Sequence, residues 1–567
     1  MNQEKGQARD RGREIWISDL SVCRPSTGLT EVPKDGQWSL VNYEAEGVKG
    51  TMIWAGPGGA LELRLPLRVN GWHDVYLGIC YASILGEQKI GLKLEGERGF
   101  HWLAKEMFPP KDGDMGRKAE HFELNESFWR SADLTGKDLV ISEPFEARMA
   151  CLAYVRLVPC EGAPEQAQPN EATRRLVAIF DGFGVSHDAF QSEERIRDPL
   201  APFLNTDVGL VLWGAAFSDC CMYESKVAAT MDQNCWSGYH FSRDIAKNLA
   251  GLKAQGVAPL EVAIKAAHEL GLEIYGSMRM VGAYLPPSHD MPPDSLYVRH
   301  PEYRCVDRDG NITPHLSLAY PAVRERYISV LREMAEAGMD GVHVLFCRSW
   351  PFVLYEEVTV EAFVEKHGRD PRALPEDDPD WLAHKCSYVT EYLRGIRAAV
   401  DDVGRAQGRR LGTSYHVMDN LANCTYFGLD VKTWIREGLV DLLIPAACHS
   451  VERPSSEGMK TGQFAELGRG TSCRVCPDPF PNRQPAERFV DKAIPHYQAG
   501  ADGLCFWDTD GRCTRCGEWA VSRDLGHREQ LEAWKERGKG RDYFKQVPIH
   551  KVADFTLDKR YYPLTNG

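Results

Sequence analysis

Polar side chains follow most of the apolar runs that come after residue 173. They comprise three aspartates, three histidines, two arginines and a tryptophan: Asp181, Arg279, His343, Arg348, His416, His449, Asp478, Trp507 and Asp508. Carboxylates and imidazoles transfer protons, and a carboxylate can also attack an electrophilic carbon. Guanidinium groups bind carboxylates or phosphates through two parallel hydrogen bonds. The set therefore predicts one site of acid/base chemistry, if the fold gathers the ends of these runs.

Eight apolar runs after residue 173 alternate with segments of helical periodicity. The runs read "RLVAIFD", "VGLVLWGAAF", "LEIYGSMRM", "DGVHVLFCR", "RLGTSYHV", "VDLLIPAACH", "CRVCPDPF" and "DGLCFWD". Strands that alternate with helices form parallel sheets, so this order predicts a (β/α)8 TIM-type barrel over residues 174–540. The carboxyl ends of the strands then share one rim, where the active site of such a barrel lies. A doubly wound open sheet is the alternative.

The first 160 residues have a different pattern. The run "ALELRLPLRV" alternates between apolar and polar side chains, which predicts a strand with one buried face. Similar short runs, separated by Gly, Asn and Asp, predict a β-sandwich accessory domain over residues 14–160. Residues 161–173 are rich in Pro, Ala and Gln and are predicted to be a linker. Residues 541–567 are expected to pack back on the body as a C-terminal tail.

The composition excludes several classes of protein. The chain has 567 residues and a net charge of −14, with no basic tract, which argues against a nucleic-acid partner. No apolar run is long enough to span a membrane, and the charged start "MNQEKGQARDRGREIW" lacks the apolar core of a signal sequence. Many of the 17 cysteines lie inside apolar runs, as buried free thiols do in a reducing compartment. We therefore expect a cytoplasmic protein with no membrane partner, and the sequence leaves a homo-oligomer open.

Two CxxC pairs raise the question of a zinc site. Cys473 and Cys476 form one pair, and Cys513 and Cys516 form the other. Four thiols can hold a structural zinc ion, but positions i and i+3 of a strand face opposite ways, and the first pair lies in a predicted strand. We therefore predict no metal and no cofactor. A metal-dependent hydrolase or lyase that uses rim histidines stays an alternative, although no HxH or HExxH spacing is present.

A longer stretch is similar to a known family. The segments "AHELGLEIYGSMRM" and "HPEYRCVDRDGNI…LSLAYPAVRERYISVLREMAEAGMDGVHVLFCRSWP", within about residues 265–351, resemble the family-10-like glycosyl hydrolases of bacteria. Their fourth strand reads DGIHLDYxRYP. The resemblance implies a (β/α)8 protein that acts on carbohydrate, and it carries Asp340, Gly341, His343 and Arg348 over to like positions.

One position departs from that family. Leu345 stands where those proteins place an aspartate after the histidine, and leucine cannot donate a proton or attack an anomeric carbon. Under the resemblance, the two carboxyl groups that a glycosidase needs must then come from other strands. We assign Asp508 and Asp478 as the acid/base and nucleophile pair, in either order. Asp181 is the third catalytic candidate.

The prediction is therefore a glycoside hydrolase or related carbohydrate-active enzyme that cleaves an oligosaccharide or glycoside. The other polar side chains at the strand ends are expected to bind the sugar: His343, Arg348, Arg279, His416, His449 and Trp507. A sugar-binding protein that has lost catalysis is an alternative that Leu345 would explain. The metal-dependent hydrolase or lyase is the second alternative.

Overall fold

The fold has an antiparallel β part and a parallel β/α part, which confirms the predicted mixed α/β class. The computed structural model describes residues 9–11, 14–56, 58–82, 88–104, 122–143, 149–164, 169–231, 240–280, 291–347, 349–447, 458–480, 484, 486–536 and 543–557. Parts of the predicted linker and tail, residues 165–168, 541–542 and 558–567, lie outside these ranges.

The strands before residue 160 form three mainly antiparallel sheets. Three short strands near the C-terminus, Phe544–Val547, Ile549–Val552 and Phe555–Thr556, add to the first and third of these sheets. The first has the order Arg9–Arg11, Glu14–Ile17, Tyr154–Pro159, Trp72–Ala82, Phe122–Asp133, Phe544–Val547. The second has the order Leu63–Pro66, Asp138–Ser142, Ile90–Leu94, His101–Leu103. The third has the order Ala150–Leu152, Val48–Ala55, Trp38–Ala45, Ile549–Val552, Phe555–Thr556, with Leu29–Thr30 beside Trp38–Ala45. Their apolar faces meet in shared clusters, because alternate side chains of each strand point to the same side.

Eight strands after residue 173 pair in parallel. In chain order they are Leu176–Phe180, Val208–Phe217, Glu273–Arg279, Gly341–Leu345, Gly412–Met418, Leu442–Ala446, Arg474–Val475 and Leu504–Phe506, numbered here as parallel strands 1 to 8. Each pairs with the next from strand 1 to strand 7, and strand 8 pairs with strand 1. Between the segments of strands 7 and 8, the N–H groups of Asp502 and Cys505 donate to the carbonyls of Val475 and Pro477, both at 2.9 Å. Each strand overlaps one of the eight predicted runs.

Helices connect most of the parallel strands. The α-helices are Phe183–Asp188, His240–Ala254, Pro259–Glu269, Leu296–Arg299, Pro321–Glu336, Glu357–His367, Pro379–Gln407, Leu421–Tyr426, Val431–Arg436, Thr461–Gly468, Glu487–Gln498, Thr509–Cys513, Cys516–Ser522 and Leu531–Glu536. The 3-10 helices are Leu20–Val22, Ser26–Gly28, Arg195–Phe203, Pro301–Tyr303 and Pro371–Ala373. Short strands form pairs as well: Cys220–Cys221 pairs with Ala229–Thr230, and Arg304–Val306 pairs with Ile312–Leu316. The apolar stripe of Pro321–Glu336 is buried in the main core, as its periodicity predicts. None of the helices in the described ranges could cross a membrane.

A separate apolar cluster lies on the inner face of the parallel strands. It consists of Val177, Ile179, Leu210, Leu212, Tyr275, Leu345, Leu442, Ile444, Cys476, Cys505 and Trp507. Leu345 is 1% exposed in this cluster, so its side chain packs as core. The carboxyl groups at the ends of the strands lie beyond this apolar layer in the chain.

Candidate active site

The turn after strand 8 carries two aspartates. Asp508 has a left-handed backbone conformation (φ +50°), which is uncommon for a residue other than glycine, and it directly precedes the helix Thr509–Cys513. Asp510 lies in the first turn of that helix. The buried hydroxyl of Thr509 accepts a hydrogen bond at 3.1 Å from the N–H of Ile179 in strand 1. This bond fixes the turn after strand 8 against the end of strand 1, where Asp181 follows.

The carboxyl group of Asp510 has an unusual protonation equilibrium. Burial raises the pKa of Asp510 to about 7, and the negative charges of Asp508 and Asp181 act in the same direction. Neighbouring like charges disfavour ionisation, because each added negative charge is repelled by those already present. A substantial fraction of Asp510 is therefore protonated at neutral pH, next to two further carboxyl groups. One side chain can donate a proton while another acts as a base or nucleophile.

Asp181 is held by an arginine from strand 3. Nη1 of Arg279 donates to Oδ2 of Asp181 at 2.6 Å. Arg279 is 7% exposed, whereas Asp181 is only partly buried. A charge-assisted hydrogen bond of this kind compensates the buried guanidinium and fixes the carboxylate. The structure thus brings the predicted residues Asp181, Arg279 and Asp508 together at the carboxyl ends of strands 1, 3 and 8.

Asp478 lies after strand 7 and is buried, at 6% exposure. Its Oδ2 accepts a hydrogen bond at 2.8 Å from the N–H of Trp507. Burial raises the pKa of Asp478 to about 7, against the opposing charge of Arg512. Ligand atoms of Asp478, His416 and Cys505 lie within 4.8 Å of one another. Asp478 therefore belongs to an interior cluster, whereas Asp508 and Asp510 are partly exposed.

The two described histidines of the predicted set are also interior. His343 and His416 have no exposed surface, and their ring centroids are 5.7 Å apart. Nδ1 of His343 lies 3.0 Å from the hydroxyl oxygen of Ser414. The ring of Trp507, which is 8% exposed, meets His416 edge to face at 5.3 Å. These side chains lie within the apolar inner layer rather than on an open surface that a sugar could stack on.

Two members of the predicted set, Arg348 and His449, lie outside the described residues. Their roles in substrate binding stay predictions. Asp510 was not among the residues selected from the sequence. The signal for it is the pair of aspartates at positions i and i+2 in "DTDG", directly after the last strand of the predicted barrel. Such a pair at a strand end combines two carboxyl groups in one turn.

No protein-family model matches this chain, and no curated protein matches it. Similar solved structures include an α-L-fucosidase (isoenzyme 2) from Paenibacillus thiaminolyticus, with 15% identity and a TM-score of 0.38 over 64% of this chain and 50% of that chain. A glycoside hydrolase family 18 N-acetylglucosaminidase from Paenibacillus barengoltzii has 11% identity and a TM-score of 0.32 over 62% of this chain and 99% of that chain. A GH31 dextranase from Flavobacterium johnsoniae has 10% identity and a TM-score of 0.32 over 87% of this chain and 55% of that chain.

These neighbours are glycoside hydrolases of several families, and they do not single out family 10. The aligned regions amount to about half the length of the fucosidase and of the dextranase. Similarities with TM-scores this low do not assign an activity to the chain.

Proposed function

We propose that the parallel part of the chain is a closed (β/α)8 barrel that forms a catalytic domain over residues 174–540. Support comes from the pairing of strand 8 with strand 1 and from the two main-chain hydrogen bonds between the segments of strands 7 and 8. Residues 14–160 are the accessory β-sandwich of this proposal, and residues 161–173 are the linker. Residues 541–567 form the tail, of which Phe544–Val547 and Ile549–Val552 pair with strands of the accessory part.

Hydrolysis of a glycosidic bond is the activity that the site supports best. The observation that carries this proposal is the carboxyl group of Asp510, whose pKa is about 7, beside Asp508 and Asp181. Glycosidases use one protonated carboxyl group to donate a proton to the leaving oxygen and one ionised carboxylate as nucleophile or base. The resemblance of residues 265–351 to glycosyl hydrolases supports a carbohydrate as the substrate.

Within this proposal, Asp510 is the general acid and Asp508 is its ionised partner. Asp181 has a positioning role, because the buried guanidinium of Arg279 already binds its carboxylate. The pair Asp508 and Asp478 that was predicted from the sequence stays a second assignment. The burial of Asp478 argues against direct contact with a substrate, since only 6% of that residue is exposed.

A substrate panel tests the proposed function. The purified full-length protein is incubated with nitrophenyl α- and β-glycosides and with reduced oligosaccharides, and the release of nitrophenol or of new reducing ends is measured. We expect at least one substrate to be cleaved, and we expect a double variant, Asp508→Asn with Asp510→Asn, to be inactive on it. Sugar binding in calorimetry without cleavage of any substrate would contradict hydrolysis and favour the sugar-binding alternative.

A further inference from the structure

Three potential metal ligands converge on the inner side of the parallel strands. His416 lies in strand 5, Asp478 follows strand 7 and Cys505 lies in strand 8. One ligand atom from each side chain lies within 4.8 Å of the other two. His416 and Cys505 have no exposed surface, and Asp478 is 6% exposed. A nitrogen, an oxygen and a sulfur donor therefore meet in a space that bulk water does not reach.

The polar atoms of this cluster have unused bonding capacity. Among the residues that the structure describes, neither ring nitrogen of His416 has a hydrogen-bond partner, and neither has Oδ1 of Asp478. A buried polar atom without a partner destabilises a fold, because it loses its hydrogen bonds to water and gains none in return. Unpartnered polar atoms on two side chains whose ligand atoms lie within 4.8 Å of each other and of the Cys505 sulfur therefore point to a bound group that uses their lone pairs.

We propose that His416, Asp478 and Cys505 bind a zinc ion. Imidazole, carboxylate and thiolate are all zinc ligands, with bonds of about 2.0–2.3 Å in tetrahedral geometry. Such bonds place ligand atoms about 3.3–3.8 Å apart, so small side-chain rotations suffice from the present separations. Zn²⁺ fits this mixed set better than Mg²⁺ or Ca²⁺, which prefer oxygen ligands alone.

The charges of the three ligands balance those of a divalent cation. Zinc binding displaces the thiol proton of Cys505 and any proton of the Asp478 carboxyl group, which gives two negative charges. A neutral imidazole from His416 supplies the nitrogen ligand and adds no charge. The complex of Zn²⁺ with these three side chains has no net charge, and an interior site avoids the large free-energy cost of an uncompensated ion.

A neighbouring hydrogen bond orients one of the ligands. The N–H of Trp507 donates to Oδ2 of Asp478, and Oδ1 has no hydrogen-bond partner among the described residues and is the oxygen free to bind the proposed ion. His343 stands on the adjacent strand 4, and its buried Nε2 has no partner among the described residues. His343 is therefore the side chain that can complete the coordination, directly or through a water molecule. The ion would link strands 5, 7 and 8 beneath the carboxylates of the turn after strand 8.

Metal analysis of the full-length protein tests this site independently of any glycosidase activity. The protein is stripped with a chelator, reconstituted with zinc chloride and dialysed, and zinc is measured by mass spectrometry. We expect about one zinc ion per chain and a higher melting temperature. A parallel sample with Co²⁺ should show the near-ultraviolet absorption of a thiolate bound to cobalt.

The chain provides a matched control variant for this experiment. Cys476 lies in the same inner cluster as Cys505 and is equally buried, but it is not part of the three-ligand group. Cys476→Ser should keep the zinc ion and the cobalt–thiolate absorption, whereas Cys505→Ser should lose the absorption and most of the zinc. If Cys505→Ser does not fold, the absorption of the wild type and of Cys476→Ser decides the question. Wild type that retains no zinc, or zinc that is unaffected in folded Cys505→Ser and His416→Ala, would overturn the proposal.

Discussion

Arg279 and Asp181 join the ends of parallel strands 3 and 1 through a hydrogen bond of 2.6 Å. Arg279 is 7% exposed, so the partly exposed carboxylate of Asp181 compensates the charge of a buried guanidinium. The same carboxylate raises the pKa of Asp510. This pair therefore links the stability of the strand ends to the protonation of the proposed general acid.

Asp181→Asn should change both the stability of the fold and the protonation of Asp510. The variant leaves the guanidinium of Arg279 with a weaker acceptor, and the free energy of unfolding should fall by about 1–3 kcal/mol in urea titrations. Asp377→Asn makes the same chemical change at an exposed position and should leave stability unchanged. Equal stability of Asp181→Asn and wild type would show that the ion pair contributes nothing to the fold.

The pH dependence of turnover should follow the protonation of Asp510. A general acid works only in its protonated form, so kcat/KM should fall as the pH rises through the Asp510 pKa of about 7. At low pH it should fall again, because the partner carboxylate of Asp508 becomes protonated. Asp181→Asn removes a charge that raises this pKa, so the falling limb should move to lower pH. A limb that keeps its position in Asp181→Asn would contradict the proposed role of Asp181.

Leu345 provides a test of the inner layer. Leu345→Asp puts a carboxyl group without a partner among apolar side chains, and we expect a loss of several kcal/mol in the free energy of unfolding. Leu345→Met preserves volume and polarity and should lose less than about 1.5 kcal/mol. Retention of full stability together with a gain of hydrolysis in Leu345→Asp would instead identify the position as a vacated catalytic site.

The sequence predicts the parallel strands well, because strands buried on both faces appear as continuous apolar runs. The same pattern locates Leu345 in the interior, since it lies in the middle of such a run. Periodicity does not reveal the pairing of Phe544–Val547 with Phe122–Asp133, because the first strand has only 4 residues and the two are distant in the chain. Pairing of this kind depends on tertiary packing rather than on local pattern.

The candidate site was only partly predictable for a similar reason. Asp181 and Asp508 follow their strands directly, so the rule that strand ends carry the site selects them. Asp510 lies two residues after Asp508, in the first turn of the following helix, and its raised pKa depends on burial and on the charges of Asp508 and Asp181. The inward orientation of Asp478 likewise depends on its hydrogen bond to the main chain of Trp507, which sequence spacing does not encode.

The turnover of Asp510→Asn and Asp508→Asn on a glycoside that the wild type cleaves decides whether these two carboxyl groups catalyse the reaction. Loss of a general acid or of its partner typically lowers the rate by ~10²–10⁴-fold. We predict a reduction of that size in each variant with an unchanged melting temperature, and near-normal turnover in the exposed control Asp377→Asn. Near-normal turnover of folded Asp510→Asn and Asp508→Asn would contradict the account. The carboxyl groups of Asp478 and Asp181 would then be the next to substitute.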